Sequence, residues 1–301
     1  MDAWCALHDR LHDRLLGHAH RETFLEDVLL VAHDANALLA SRVDLALFTL
    51  VQMLFEPNRS YSTVHALLCA AICRLVAPLA AISREQQTSL FNAALTMNIG
   101  MSSLHDALRL QASRPDPVQE AAILRHPEEG ARKLRSFGVE DAGWLEYVRE
   151  HHETVSGKGY PSGKRDLSVA TRVLQMADVF VGRISPRSYR EGLSPRMAMR
   201  NLYLGADGNP DPLGAVFVKM LGVYIPGSYV QLANREVAVV VKRGELAHTP
   251  LVMSLVGSRG APLREPAIRD TSDAEQRIAN SVAADTVRVQ ISRSRLLALL
   301  S

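Results

Sequence analysis

The chain has 301 residues, 47% hydrophobic and 22% charged, enough for one large core or two modest domains. Its 34 Lys and Arg against 32 Asp and Glu leave a formal net charge of +2, which gives no electrostatic footprint for duplex nucleic acid. The odd, sparse cysteine set (Cys5, Cys69 and Cys73) argues against a disulfide framework and fits a reducing compartment.

The start, Met1-Asp2-Ala3-Trp4-Cys5, lacks the basic region and apolar run of a signal peptide. No apolar stretch approaches the ~20 residues of a membrane span. The cytoplasm is therefore the expected location. Residues 1–56 read as helices, with apolar residues at helical spacing from Phe24 to Ala32 and from Leu45 to Leu54. Pro57-Asn58-Arg59-Ser60 breaks the pattern, and Ser62 or Thr63 is expected to cap the next helix, through His65 to about Val76. Cys69 and Cys73 share one face of it and read as small buried residues. Further helices are expected over about 85–97, 118–137, 144–153, 168–181, from Ser194-Pro195 onward and over 213–221. After Pro226-Gly227 short β-branched runs predict a small antiparallel β-module over 226–258, followed by a possible late helix at about 272–283.

Several of the 11 histidines sit where a metal could use them. His151-His152-Glu153 ends a helix before the loop Ser156-Gly157-Lys158-Gly159-Tyr160-Pro161, whose glycines and proline break helices. Neutral imidazoles on a rigid helix end suit iron, manganese or zinc. Taken alone, the pair reads first as solvated or hydrogen-bonded side chains rather than as ligands, and the glycines as turn formers.

The whole run resembles the HHExxxGxGYP signature of the HD-GYP family. His126-Pro127-Glu128-Glu129-Gly130 is similar to that family's HPxxG element, and Ala177-Asp178-Val179-Phe180 to its ADxF element. Tyr61-Ser62-Thr63-Val64-His65 resembles its YTxxH start. Ser185-Pro186-Arg187-Ser188-Tyr189-Arg190 resembles SxRPYR, with Ser188 in place of a proline. The likeness covers residues 56–226. It implies a mainly α protein: a helical HD-domain bundle with additional N-terminal helices and a small C-terminal antiparallel β-module. The corresponding segments are an N-terminal helical region (1–56), an HD-GYP-like domain (57–225) and a β-module with tail (226–301). It also implies metal ligation by His65, His126, His151, His152 and Asp178, and ligand contact by Lys158, Gly159, Tyr160, Pro161, Arg187 and Arg190. Active members of that family hydrolyse cyclic di-GMP with two or three metal ions, often iron.

One element departs from the pattern. Ala93-Ala94-Leu95-Thr96-Met97-Asn98-Ile99-Gly100-Met101 fits the family's AALLHDIGK in its flanks, but Met97 and Asn98 stand where the His-Asp dyad belongs. An amide offers one neutral carbonyl oxygen and does not neutralise two cations, and a thioether is a poor ligand for hard metals. An intact pair, His105-Asp106, follows eight residues on, which on a continuous helix displaces it by roughly 12 Å at 1.5 Å per residue, away from the dyad's place. His8-Asp9, His12-Asp13 and His33-Asp34 read as solvated surface.

Three readings follow. The first is a degenerate HD-GYP signalling protein with weak or absent hydrolysis, holding one iron, manganese or zinc ion or none. It would bind cyclic di-GMP or a related nucleotide, a signalling protein, or a second copy of itself. The second is an active phosphodiesterase with a reduced or rearranged metal centre, and the third a purely structural interaction module.

Overall fold

A computed structural model describes residues 2–16, 21–188, 192–205, 208–287 and 289. In chain order the helices are α1 (Asp2–Leu15), α2 (Arg21–Ser41), α3 (Val43–Leu54), α4 (Tyr61–Val76), α5 (Arg84–Thr96), α6 (Ser102–Leu110), α7 (Pro117–Ser136), α8 (Ala142–Glu150), α9 (Val169–Ile184), α10 (Pro195–Tyr203) and α11 (Pro212–Leu221). The strands are β1 (Tyr229–Leu232), β2 (Val237–Lys242), β3 (Leu251–Val256), β4 (Pro262–Asp270) and β5 (Ile278–Val282). The chain forms two compact units. One comprises Asp2–Ser41 and Pro57–Gly192. The other comprises Arg42–Glu56 and the described residues from Leu193 onward.

The first unit is a helical bundle built around α4, which is buried on nearly every side, as a helix apolar all round must be. It packs against α5, α6 and α9. Its N-cap is Ser60, whose side chain accepts from the Thr63 amide, rather than Ser62 or Thr63, which are themselves buried in the helix. Cys69 and Cys73 lie in this core, and burial pushes both thiols up. Asp116 and Gln119 form a capping box that starts α7, with Pro117 in the first turn. Asp141 caps α8 and also accepts from Ser89 Oγ (2.7 Å), while Trp144 Nε1 donates to Thr96 Oγ1 (2.7 Å), tying α8 to the end of α5. The surface expectation fails for His8. It is 5% exposed and packed parallel to His12 at 6.0 Å, because the amphipathic α1 turns that face inward.

The second unit carries a five-stranded antiparallel sheet in the order β4-β3-β2-β1-β5. One row runs through Val282, Tyr229, Val239, Met253 and Ile268. Both faces of its centre are covered: Tyr229, Val239, Val241 and Met253 pack with Phe48 of α3, and Val230, Ala238, Val240 and Val252 with Tyr224. This two-sided burial accounts for the unbroken apolar run of β2. The expected helix at 272–283 is absent. Asp270 and Asp273 accept from the amides of Ser272 (2.9 Å) and Glu275 (3.0 Å), turns that compete with helix, and Ile278–Val282 pairs with β1.

Candidate metal centre

The first unit gathers the histidines expected from the sequence. Pro127 inside α7 has no N–H, so the Ile123 carbonyl one turn back loses its helical donor. His126 Nδ1 takes that carbonyl at 2.6 Å. At the end of α8, where carbonyls also lack intrahelical partners, His151 Nδ1 donates to Val148 O at 2.6 Å. A carbonyl only accepts, so both Nδ1 atoms carry the proton and both Nε2 atoms present lone pairs. Burial, the largest influence on each, holds the rings neutral, lowering His126 to about 3 and His151 to about 4. Yet the two Nε2 atoms face each other at 3.2 Å. Two acceptors so placed fit a cation between them, and backbone carbonyls behind ligating imidazoles are a common way of fixing the tautomer.

His152 completes the group. It lies with His126 and His151 so that one nitrogen from each falls within 4.8 Å of the others. Burial, followed by the neighbouring His151, lowers it to about 3. Its Nδ1 stands 3.7 Å from Asp178 Oδ2 on α9, whose Oδ1 accepts from His65 Nε2 of α4 at 2.9 Å. Burial works to raise Asp178, but the hydrogen bond from His65 and the electrostatic influence of the surrounding imidazoles outweigh it and hold the carboxyl below the usual range. Asp178 thus links the triad to His65, whose Nδ1 lies 3.2 Å from Tyr61 Oη.

The loop after the triad is folded back onto it. A Cβ at Gly159 would meet Glu153 Cα and His152 O at 2.5 Å, so only glycine lets the backbone pass. This brings Tyr160 flat against His152, ring centroids 4.6 Å apart and planes 26° apart. Pro161 follows through a cis peptide. Glu153 is buried and anchors the loop by accepting from the amide and hydroxyl of Ser162 (2.6 and 2.8 Å). Lys158 is exposed and joins none of these groups. The nearby lysine with a defined role is Lys164, which the sequence reading passed over; it binds both Glu150 oxygens at 2.8 and 2.9 Å. Arg187 lies 5.9 Å from the Tyr61 ring centroid, and Arg190 lies outside the described residues.

The turn 97–101 carries the departure from the pattern. Met97 is fully buried, and Asn98 is 4% exposed with neither amide atom bonded to another protein group. Gly100 fixes the turn against α7, since a Cβ there would collide with His126 O and approach Gly130 N at 2.9 Å. Met97 and His105 do not lie on one continuous helix. α5 ends at Thr96 and a turn over 97–101 separates it from α6, and the His105 ring centroid lies 5.2 Å from that of His65 and 4.6 Å from that of Tyr61. Asp106 points elsewhere, to Ser60 Oγ (2.8 Å) and Ser62 N (2.6 Å) at the start of α4.

The chemistry of the donor set fits a divalent ion at His126, His151 and His152: three neutral nitrogens, two of them with their tautomers fixed from behind. An ion there would supply Lewis acidity toward a phosphoryl oxygen. Among the described residues no helix is long and apolar enough to cross a membrane.

Comparison with known proteins gives the family. The chain is 28% identical over 225 residues to the cyclic di-GMP phosphodiesterase PA4108 of Pseudomonas aeruginosa, covering 71% of this chain and 52% of that protein. It is 26% identical over 184 residues to 3'3'-cGAMP-specific phosphodiesterase 3 of Vibrio cholerae, covering 60% of this chain and 39% of that protein. The chain therefore spans about half or less of these relatives' lengths. Its fold is similar to that of Bd1817, an HDG"Y"P protein from Bdellovibrio bacteriovorus, with a TM-score of 0.53 and 19% identity over 71% of this chain and 68% of that one. The HD domain family model matches residues 38–212, from the end of α2 to the start of α11. The chain belongs to the HD domain family and carries the histidine cluster and folded-back loop of its HD-GYP type.

Proposed function

We propose that this chain is a signalling domain related to cyclic di-GMP phosphodiesterases in which hydrolysis is weak or absent. It works by binding a cyclic dinucleotide or a protein partner, a second copy of itself included. The observation that carries this reading is the pair Met97-Asn98: a buried thioether beside a buried amide with no protein partner, where the family motif has its dyad. The triad holds a single iron, manganese or zinc ion, and without a shared carboxylate a second ion lacks a bridge. The named activities of the relatives support a cyclic dinucleotide as the ligand class, with Tyr160, Arg187, Arg190 and Lys158 as its contacts.

Calorimetric titration with cyclic di-GMP, with and without manganese or ferrous iron, tests this, paired with chromatography for the linear dinucleotide. The expected result is binding with slow or no release of product. Absence of binding removes the ligand part of the reading.

The facing Nε2 atoms of His126 and His151 favour a second reading, an active phosphodiesterase on a one-ion centre. It requires rapid turnover that disappears in His151→Ala.

A further inference from the structure

The sequence offers His105-Asp106 as a second copy of the missing dyad, and the structure separates its two members. Asp106 receives the Ser62 amide and the Ser60 hydroxyl, so an external carboxylate satisfies a first-turn N–H of α4 and complements its dipole. His105 faces the same turn. It makes edge-on ring contacts with Tyr61 at 4.6 Å and His65 at 5.2 Å, and these two rings meet edge-on at 5.4 Å, closing a triangle of three rings. Arg109, one turn further along α6, places its guanidinium 5.5 Å from the same Tyr61 ring. His105 is 5% exposed, its Nδ1 has no protein partner, and its contacts within this cluster are made ring against ring.

We propose that His105 and Asp106 are a positioning pair: Asp106 pins the start of α4, and His105 locks the Tyr61 and His65 rings so that His65 holds Asp178 beside the triad. The chain of contacts is continuous. His105 packs on His65, His65 Nε2 donates to Asp178 Oδ1 at 2.9 Å, and Asp178 Oδ2 lies 3.7 Å from His152 Nδ1. Rotation of His65 would withdraw the carboxylate from the triad. Outer groups that orient ligands in this way affect metal affinity by about 10–100-fold. This inference rests on the metal-binding reading of His126, His151 and His152, and its test separates the two.

The experiment compares the wild type with His105→Ala, His105→Phe, Asp106→Asn and His126→Ala, each checked by circular dichroism. Mn²⁺ affinity is measured by calorimetry. The His65 Nε2–H resonance is followed by ¹⁵N NMR in the metal-free protein and assigned with His65→Gln. The positioning role predicts that His105→Phe, which keeps the ring edge, retains both the resonance and the affinity. His105→Ala loses the resonance and about 10–100-fold in affinity, and Asp106→Asn shifts both in the same direction. A His65 resonance unchanged in His105→Ala overturns the proposal. So does a His105→Phe protein as impaired as the alanine variant, which would assign the role to a ring nitrogen. If neither the wild type nor His126→Ala binds Mn²⁺, the metal reading falls, and the metal-free resonance alone then decides the positioning role.

Discussion

Replacing Gly159 with alanine tests whether the loop owes its place to backbone contact with the triad segment. The added Cβ would lie 2.5 Å from Glu153 Cα, 2.5 Å from His152 O and 2.6 Å from Thr154 N. All three are backbone atoms, so no side chain can swing away. Reaching ordinary contact requires the loop to lift by about 1 Å. Overpacking of this kind costs about 1–3 kcal/mol, and in a domain of this size that lowers the melting temperature by roughly 2–12 °C. The lift also takes Tyr160 off the His152 ring, so Mn²⁺ affinity falls together with stability. Gly182 in α9 is the internal control. A Cβ there meets nothing within 4 Å, and alanine in a helix interior is favoured by about 0.5–1 kcal/mol, so Gly182→Ala melts higher. Differential scanning calorimetry of both variants checks the signs. A Gly159→Ala protein with wild-type melting and wild-type Mn²⁺ affinity would show that the loop does not depend on this backbone contact.

Acid should destabilise the metal-free chain well above the carboxylate range. Burial depresses His126, His151 and His152 to about 3, 4 and 3, whereas in the unfolded chain they take up protons near 6.5. The unfolded state then binds more protons below pH 6.5, and stability falls from there toward pH 4 by up to about 1.4 kcal/mol per pH unit for each histidine. Asp178, depressed in the fold, adds a loss in the same direction only below its ordinary value of 3.8. Thermal melts at pH 7.5 and 5.0 check this, and equal melting temperatures would exclude it. Trp144→Phe leaves Thr96 Oγ1 without the indole donor it accepts from at 2.7 Å, and should cost about 1–3 kcal/mol in denaturant titration with the helical signal intact.

The helices were legible in the sequence because helical spacing is local, whereas the triad, joining His126 with His151 and His152 from another segment, was expected only from the family resemblance. Helical spacing, Pro127 beside His126, and the glycines of the loop act within a turn or two of the residues they position. The place of His105 was not legible. A rise of 1.5 Å per residue holds only along one helix, whereas the five residues between Thr96 and Ser102 form a turn with Gly100 in close approach to α7. Strand β5 was missed for a related reason. Ile278–Val282 has no alternating pattern of its own and becomes a strand through pairing with β1, more than 40 residues away in the chain. The helical α3 belongs with the sheet for the same kind of reason: Phe48 finds its partners at Tyr229, Val239 and Met253, which spacing along the chain does not show. Lys164 and Glu150 escaped notice because neither belongs to the recognisable motif.

An amide in place of the shared carboxylate limits how many ions the site holds. Elemental analysis of anaerobically purified protein, run beside a cyclic di-GMP turnover assay, measures it directly. No more than one iron, manganese or zinc per chain, lost in His126→Ala and accompanied by slow or no turnover, is the predicted result. Two ions per chain with rapid turnover would show that Asn98 does not prevent a bridged metal pair.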